Sequence, residues 1–136
     1  MGIFVGEAQC TPAARCALKI NYAVQKIVNP ALKQQYSSRT YQLKQVVGID
    51  TSAIRAARTG VRGGNDIVWV GRAANYAAKL TGLNLTERSW ITKDVFDRLQ
   101  SSLKVRTSDK ASMWKAYTWS QYNDHQICGS TWTWPV

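Results

Sequence analysis

The stretch that decides the reading of this chain is Asp66-Ile67-Val68-Trp69-Val70-Gly71-Arg72-Ala73-Ala74-Asn75-Tyr76-Ala77-Ala78-Lys79-Leu80. Ile67 to Val70 is apolar at successive positions, so it would be covered on both faces, and this predicts a central strand. Gly71 ends the run, and Ala73 to Leu80 has strong helical composition. The chain therefore turns sharply from strand into helix at Arg72. Backbone amides at a helix N-terminus point outward, and the local dipole favours anions, so ligands favour such junctions. Asn75 and Lys79 are four residues apart and project from one helix face.

Working toward the N-terminus, residues 53–66 hold Gly60, Gly63, Gly64 and three arginines, Arg62 among them, and read as a connection. Tyr41 to Asp50 alternates and runs into Val46-Val47-Gly48-Ile49, the pattern of a strand entering a core, which Asp50-Thr51-Ser52 ends. Thr11-Pro12 supplies an N-cap and a first-turn proline. Ala13, Ala17, Ile20, Val24 and Ile27 then recur at helical spacing to about Val28, and Asn29-Pro30 is expected to break the helix before a short piece to about Tyr36. Ile3-Phe4-Val5 reads as a buried strand beginning abruptly beside the initiating methionine, which suggests that Met1 is an internal position of a longer domain. Toward the C-terminus, Trp90-Ile91 reads as a strand end, and Thr92 caps a helix through Asp94 to Leu99. Residues 101–136 read as a loop or helix followed by a final strand near Gln126 to Trp134.

Length and composition bound the function. At 136 residues the chain is one domain or part of one, and 45% hydrophobic against 19% charged residues is ordinary for a protein that buries a core. No apolar run approaches the roughly 20 residues of a membrane span, and no basic segment precedes an apolar one near Met1, so the expected compartment is the cytoplasm. Cys10, Cys16 and Cys128 lack CxxC spacing and His125 is the only histidine, which argues for buried or inert thiols rather than a zinc site or a disulfide framework. The net charge of +10 suits nucleic acid, a membrane surface or a small polyanion such as a nucleoside triphosphate. The basic residues are scattered without a long run, which favours solvated faces plus one local pocket.

Gly48-Ile-Asp-Thr-Ser52 followed by Asn65 to Leu80 resembles the class III nucleotidyl cyclases, in which a strand ending in glycine precedes a helix patterned Asn-x-Ala-x-Arg. Asn75, Ala77 and Lys79 fall on that pattern. Ile3-Phe-Val-Gly6 resembles the strand after the family's Gly-Asp metal turn. The wording Trp69-Val-Gly-Arg-Ala-Ala-Asn75 is closest to the bacterial pyrimidine cyclases of anti-phage signalling, the Pycsar branch. The likeness covers Met1 to about Leu99, a family-like core, and is weaker over 100–136, an extension with a final strand.

The resemblance implies an α+β, ferredoxin-like class III cyclase domain lacking its first strand, first helix and metal-binding hairpin strand. It implies formation of a 3′,5′-cyclic nucleotide, cUMP or cCMP, with release of pyrophosphate. Asn75 would orient the ribose, and Lys79, standing where the family has arginine, would stabilise the triphosphate as a point charge rather than a bidentate fork. Val68 occupies the position of the carboxylate that reads adenine in other members, and an aliphatic side chain cannot make that hydrogen bond, which adds weight to a pyrimidine. Asp66 and Trp69 are nearby candidates for contacting the base, and Arg62 and Arg72 for the phosphates. The two aspartates that hold Mn or Mg in the intact family domain precede the point matched by Met1, so no metal ligand is expected here and the chain alone is expected to be inactive. The implied partners are a second copy or a full-length cyclase subunit. Two other classes stay open: a basic module holding RNA or single-stranded DNA through its charge and tryptophans, against which no RNP, KH or helix-turn-helix pattern appears, and a non-catalytic cyclase-like regulatory partner.

Overall fold

A computed structural model describes residues 1–38, 41–60 and 66–136. The elements in chain order are helix α1 (Cys10–Ala23), a π-helical turn (Val24–Val28), helix α2 (Asn29–Gln35), strands β1 (Val47–Ile49), β2 (Arg55–Thr59) and β3 (Asp66–Val70), helix α3 (Arg72–Leu80), strand β4 (Ser89–Thr92), the short helices α4 (Lys93–Asp97) and α5 (Ser101–Lys104), and strands β5 (Lys115–Trp119) and β6 (His125–Ser130). The fold is α+β with a mixed sheet, as expected at that level. Its order is β1-β4-β6-β5, with β1 and β4 parallel and the other pairs antiparallel.

The sheet separates two apolar layers because side chains alternate across a strand. Ile91 and Cys128 face one side, where Cys10, Ala14 and Leu18 of α1 pack with Val95, Leu103 and Trp114. Trp90 and Ile127 face the other, with Leu80 of α3 and Trp119. The inner strands are β4 and β6, and Trp90 and Ile91 of β4 are fully buried.

That overturns the central place expected for Ile67 to Val70. Among the described residues β3 pairs only with β2, in an antiparallel hairpin from Arg55↔Val70 to Thr59↔Asp66, and its Ile67, Val68 and Val70 are 64%, 42% and 56% exposed. An apolar run records that a strand is suited to being covered on both faces, and the described residues of the chain do not supply that cover.

Other differences have local causes. Ile3-Phe4-Val5 forms no strand, and Val5 is exposed. Ala13 and Ala17 are buried as expected, but the buried face of α1 also takes in Cys10, Ala14, Leu18 and Asn21 and turns away from Ile20, which is exposed, as is Ile27 in the π turn. Thr11 lies inside α1 rather than capping it, and its hydroxyl accepts the Gln100 amide at 3.1 Å, tying the helix start to the later chain. The helix does not break at Asn29-Pro30. Proline has no N–H and its ring crowds the carbonyl four residues back, and the π turn immediately before Asn29 widens the ladder so that Pro30 enters within the first turn of α2. Thr92 does stand at the start of a helix, but its hydroxyl bonds Asp50 rather than the helix amides. Lys115 to Trp119 is an unexpected strand, and the final strand is shorter than expected, at His125–Ser130. Cys10 and Cys128 are buried free thiols, whereas Cys16 is exposed.

Candidate functional site

Two glycines set α3 in place. A Cβ at Gly48 would overlap the Ala77 carbonyl oxygen and approach Leu80 Cβ to 2.8 Å, so α3 lies directly on the backbone of β1. Gly71 has φ of +157° and precedes α3, and a Cβ there would meet Ile54 Cγ2 at 2.9 Å and Ala53 O at 3.1 Å. Strand, tight turn and helix are thereby locked together, and Ser52 Oγ accepts the Ala73 amide at 2.9 Å, satisfying one open donor of the first turn.

Arg72 organises the junction. Its Nη2 donates to Asp94 Oδ2 at 2.8 Å and to the Thr51 carbonyl at 2.9 Å. Its Nε lies 3.3 Å from Asp50 Oδ2, an ion-pair distance without hydrogen-bond alignment. The Asp50 side chain has no exposed surface, and its Oδ1 accepts the Thr92 hydroxyl at 2.6 Å. The hydrogen bond to Asp94 holds the Arg72 guanidinium above its usual pKa, an effect that burial opposes and the charges of Asp50 and Asp94 reinforce. In this arrangement Arg72 is committed to two protein carboxylates.

One turn on, Asn75 is exposed, and its backbone N–H donates to the Gly71 carbonyl at 3.3 Å. Lys79 is half-buried with Nζ 4.3 Å from the centre of the Tyr122 ring. Positions 72, 75, 76 and 79 fall on one helical face. The structure thus brings Arg72, Asn75 and Lys79 together. Val68 and Trp69 sit on the preceding hairpin, opposite Ala57 and Ala56, with Val68 exposed and Trp69 half-buried. Asp66 pairs through its backbone with Thr59, its side chain lying outside the described part, and Arg62 lies outside the described residues.

An aromatic wall that sequence reading missed flanks this face. The Tyr76 ring centre is 5.7 Å from that of Trp119, 5.9 Å from Tyr122 and 5.5 Å from His125, while the Arg72 guanidinium sits 5.7 Å over it. Trp119, Tyr122 and His125 come from the β5–β6 hairpin, more than 40 residues beyond Tyr76, and no local spacing rule links them to it. The only available signal was their density in the tail. Chemically the face offers a carboxamide free to hydrogen-bond a hydroxyl and an ammonium that can leave a ring face for an anion, both on a rigid helix.

No family model matches the sequence. The chain is 47% identical over all 136 residues to a uridylate cyclase of Xanthomonas perforans, of which it covers 58%. It is 46% identical over 136 residues to a uridylate cyclase of Burkholderia cepacia, covering 57% of it. To a uridylate cyclase of Rhodovulum sp. it is 31% identical over 123 residues, 88% of this chain and 51% of the relative. The chain is homologous to a segment of these cyclases. It spans somewhat over half the length of the first two, so its likeness is to part of each and not to the whole.

Among the described residues, no group of three or more His, Cys, Asp or Glu side chains is placed to hold a metal ion. Asp50 and Asp94 share the Arg72 guanidinium. No helix among the described residues is long and apolar enough to cross a membrane.

Proposed function

We propose that this chain supplies the ribose- and phosphate-binding half of a nucleotidyl cyclase that forms 3′,5′-cyclic UMP from UTP, within a ferredoxin-like class III catalytic domain. In that reaction the 3′ oxygen attacks the α-phosphorus, its proton departs, and the bond from the α-phosphorus to the bridging oxygen breaks, releasing pyrophosphate. The observation that carries the reading is the pairing of Asn75 with Lys79 on one face of a helix locked to β1, in a chain 47% identical throughout to a protein named uridylate cyclase. The Asn75 amide holds the ribose so that the hydroxyl is in line with the α-phosphorus. The Lys79 ammonium leaves the Tyr122 ring for the triphosphate. Positioning of this kind accounts for much of the acceleration in phosphoryl transfer, which needs little covalent help from the protein. Val68 withholds the hydrogen bond an adenine-reading carboxylate would make, which favours a pyrimidine.

Among the described residues no group of carboxylates fits the divalent ions of the family, and in this reading the Asn75–Lys79 half requires a segment carrying those carboxylates. The site is composite in this reading, made where two subunits pair, and the chain by itself does not turn over UTP. The exposed apolar side chains of Ile67, Val68 and Val70 beside α3 support burial against a partner, either a second copy or a full-length cyclase. The cyclic product acts as a signal in anti-phage defence within this proposal.

The test mixes the chain with the full-length Xanthomonas relative, in which the residue aligned with Asn75 is replaced by alanine. The expected result is cUMP from UTP and Mn only when both are present. Stable co-purification without any product would overturn the reading.

A further inference from the structure

On the sheet face opposite α3, a cleft of about 280 Å³ opens between the π-helical turn and the segment leading into β1. It lies far along the strands from Arg72. The Val47 amide donates to the Arg88 carbonyl at 2.9 Å, placing Gln45 and Arg88 at the N-terminal ends of the parallel pair β1 and β4, whereas Asp50 and Thr92 stand at the C-terminal ends.

The cleft is built on carboxamides. Asn21, almost wholly buried, donates through Nδ2 to the Thr131 and Trp132 carbonyls at 3.1 and 2.8 Å. That fixes its orientation, so its Oδ1 must accept, and it does so from Gln25 Nε2 at 2.8 Å and Gln45 Nε2 at 3.1 Å. The Gln45 amide is thereby oriented as well, and its Oε1 is left shielded from solvent with no hydrogen-bond partner. Asn29 closes the wall through reciprocal bonds with the Leu43 backbone at 3.1 and 2.8 Å. Lys26, Lys44 and Arg88 line the cleft, no carboxylate does, and none of the three is in an ion pair among the described residues. An unmade acceptor is costly, and three uncompensated cations repel one another, so an anionic ligand bearing a donor would relieve both.

We propose that this cleft binds a small phosphate monoester carrying a hydroxyl or imide N–H. Lys26, Lys44 and Arg88 take the phosphate, the remaining amide N–H groups of Gln25 and Gln45 add donors, and Gln45 Oε1 accepts from the ligand after a small side-chain swing. The π turn supports the assignment, since such turns are frequent at functional sites. The proposal is independent of the cyclase reading.

The test titrates the 136-residue chain with uridine 5′-monophosphate, inorganic phosphate and sodium chloride at matched ionic strength, following amide NMR shifts. The monoester is expected to give saturable shifts at Asn21, Gln25, Asn29 and Gln45, with phosphate binding more weakly and chloride causing none. The pair Lys44→Gln and Arg88→Gln is expected to weaken monoester binding about tenfold or more. The charge-matched pair Lys19→Gln and Lys110→Gln leaves it unchanged. Non-saturable shifts equal to those from chloride, equal weakening in both charge pairs, shifts confined to α3, or phosphate binding as tightly as the monoester would each overturn the assignment.

Discussion

Replacing Arg72 by methionine isolates what the guanidinium does at the head of α3. The Asp50 carboxylate it faces has no exposed surface and would keep only the Thr92 hydroxyl. Removing one partner of a buried ion pair costs about 3–5 kcal/mol. Arg72 is itself 43% exposed, so solvent already screens part of the attraction, and about 2–3 kcal/mol is the reasonable figure. The half-exposed bond to Asp94 adds at most a few tenths. With an unfolding entropy of about 2.1 cal/mol/K per residue, 136 residues give about 0.29 kcal/mol/K, so the melting temperature should fall by about 7–10 °C. Differential scanning calorimetry of Arg72→Met and of Arg72→Met with Asp50→Asn measures it. The double variant carries no buried charge and should recover more than half of the loss. A single variant melting within about 2 °C of the parent, or a double variant melting below the single one, would refute the argument.

Gly48→Ala should be among the most damaging small substitutions, costing about 1–3 kcal/mol or more because the new methyl meets backbone of α3 rather than a side chain that can turn away; urea unfolding reads it. Burial pushes the Glu87 carboxyl up, but hydrogen bonds from Tyr117, from its own backbone amide and from Thr86 outweigh this and hold it below the usual 4.5. A depressed carboxyl stabilises the fold above its unfolded pKa and loses that stabilisation as pH falls through the folded value. Melting temperature should therefore drop below about pH 4.5, and less steeply in Glu87→Gln. Thiol labelling under native conditions should modify Cys16 alone, because Cys10 and Cys128 are buried and burial pushes the Cys128 thiol up; equal rates at all three would contradict the packing.

The strand-to-helix turn at Gly71 was legible because glycine and the alanine-rich run that follows carry local backbone information, and α3 begins at Arg72 as that run implies. The place of β3 was not. Val68 and Ile67 record apolarity, which a core and an interface demand alike, and only pairing with Arg58 and Ala57 rather than with β1 distinguishes them. Asn75 and Lys79 could be placed on one face by counting residues, but the surroundings of Arg72 could not. Asp50 lies 22 residues before it, and the parallel register of β1 on β4 carries Asp50 to the end of the sheet beside Thr92 and Asp94. Tyr76 meets Trp119 and His125 only because β5 and β6 return along the α3 face, a consequence of sheet order that no periodicity encodes.

The most direct measurement of the composite-site account is the rate of cUMP formation by the mixed assembly of this chain with that alanine-substituted relative, comparing the parent chain with Asn75→Ala. Loss of ribose positioning should lower the rate by on the order of a hundredfold or more, with the amount of assembled complex unchanged. An Asn75→Ala chain that supports cUMP formation as fast as the parent would contradict it.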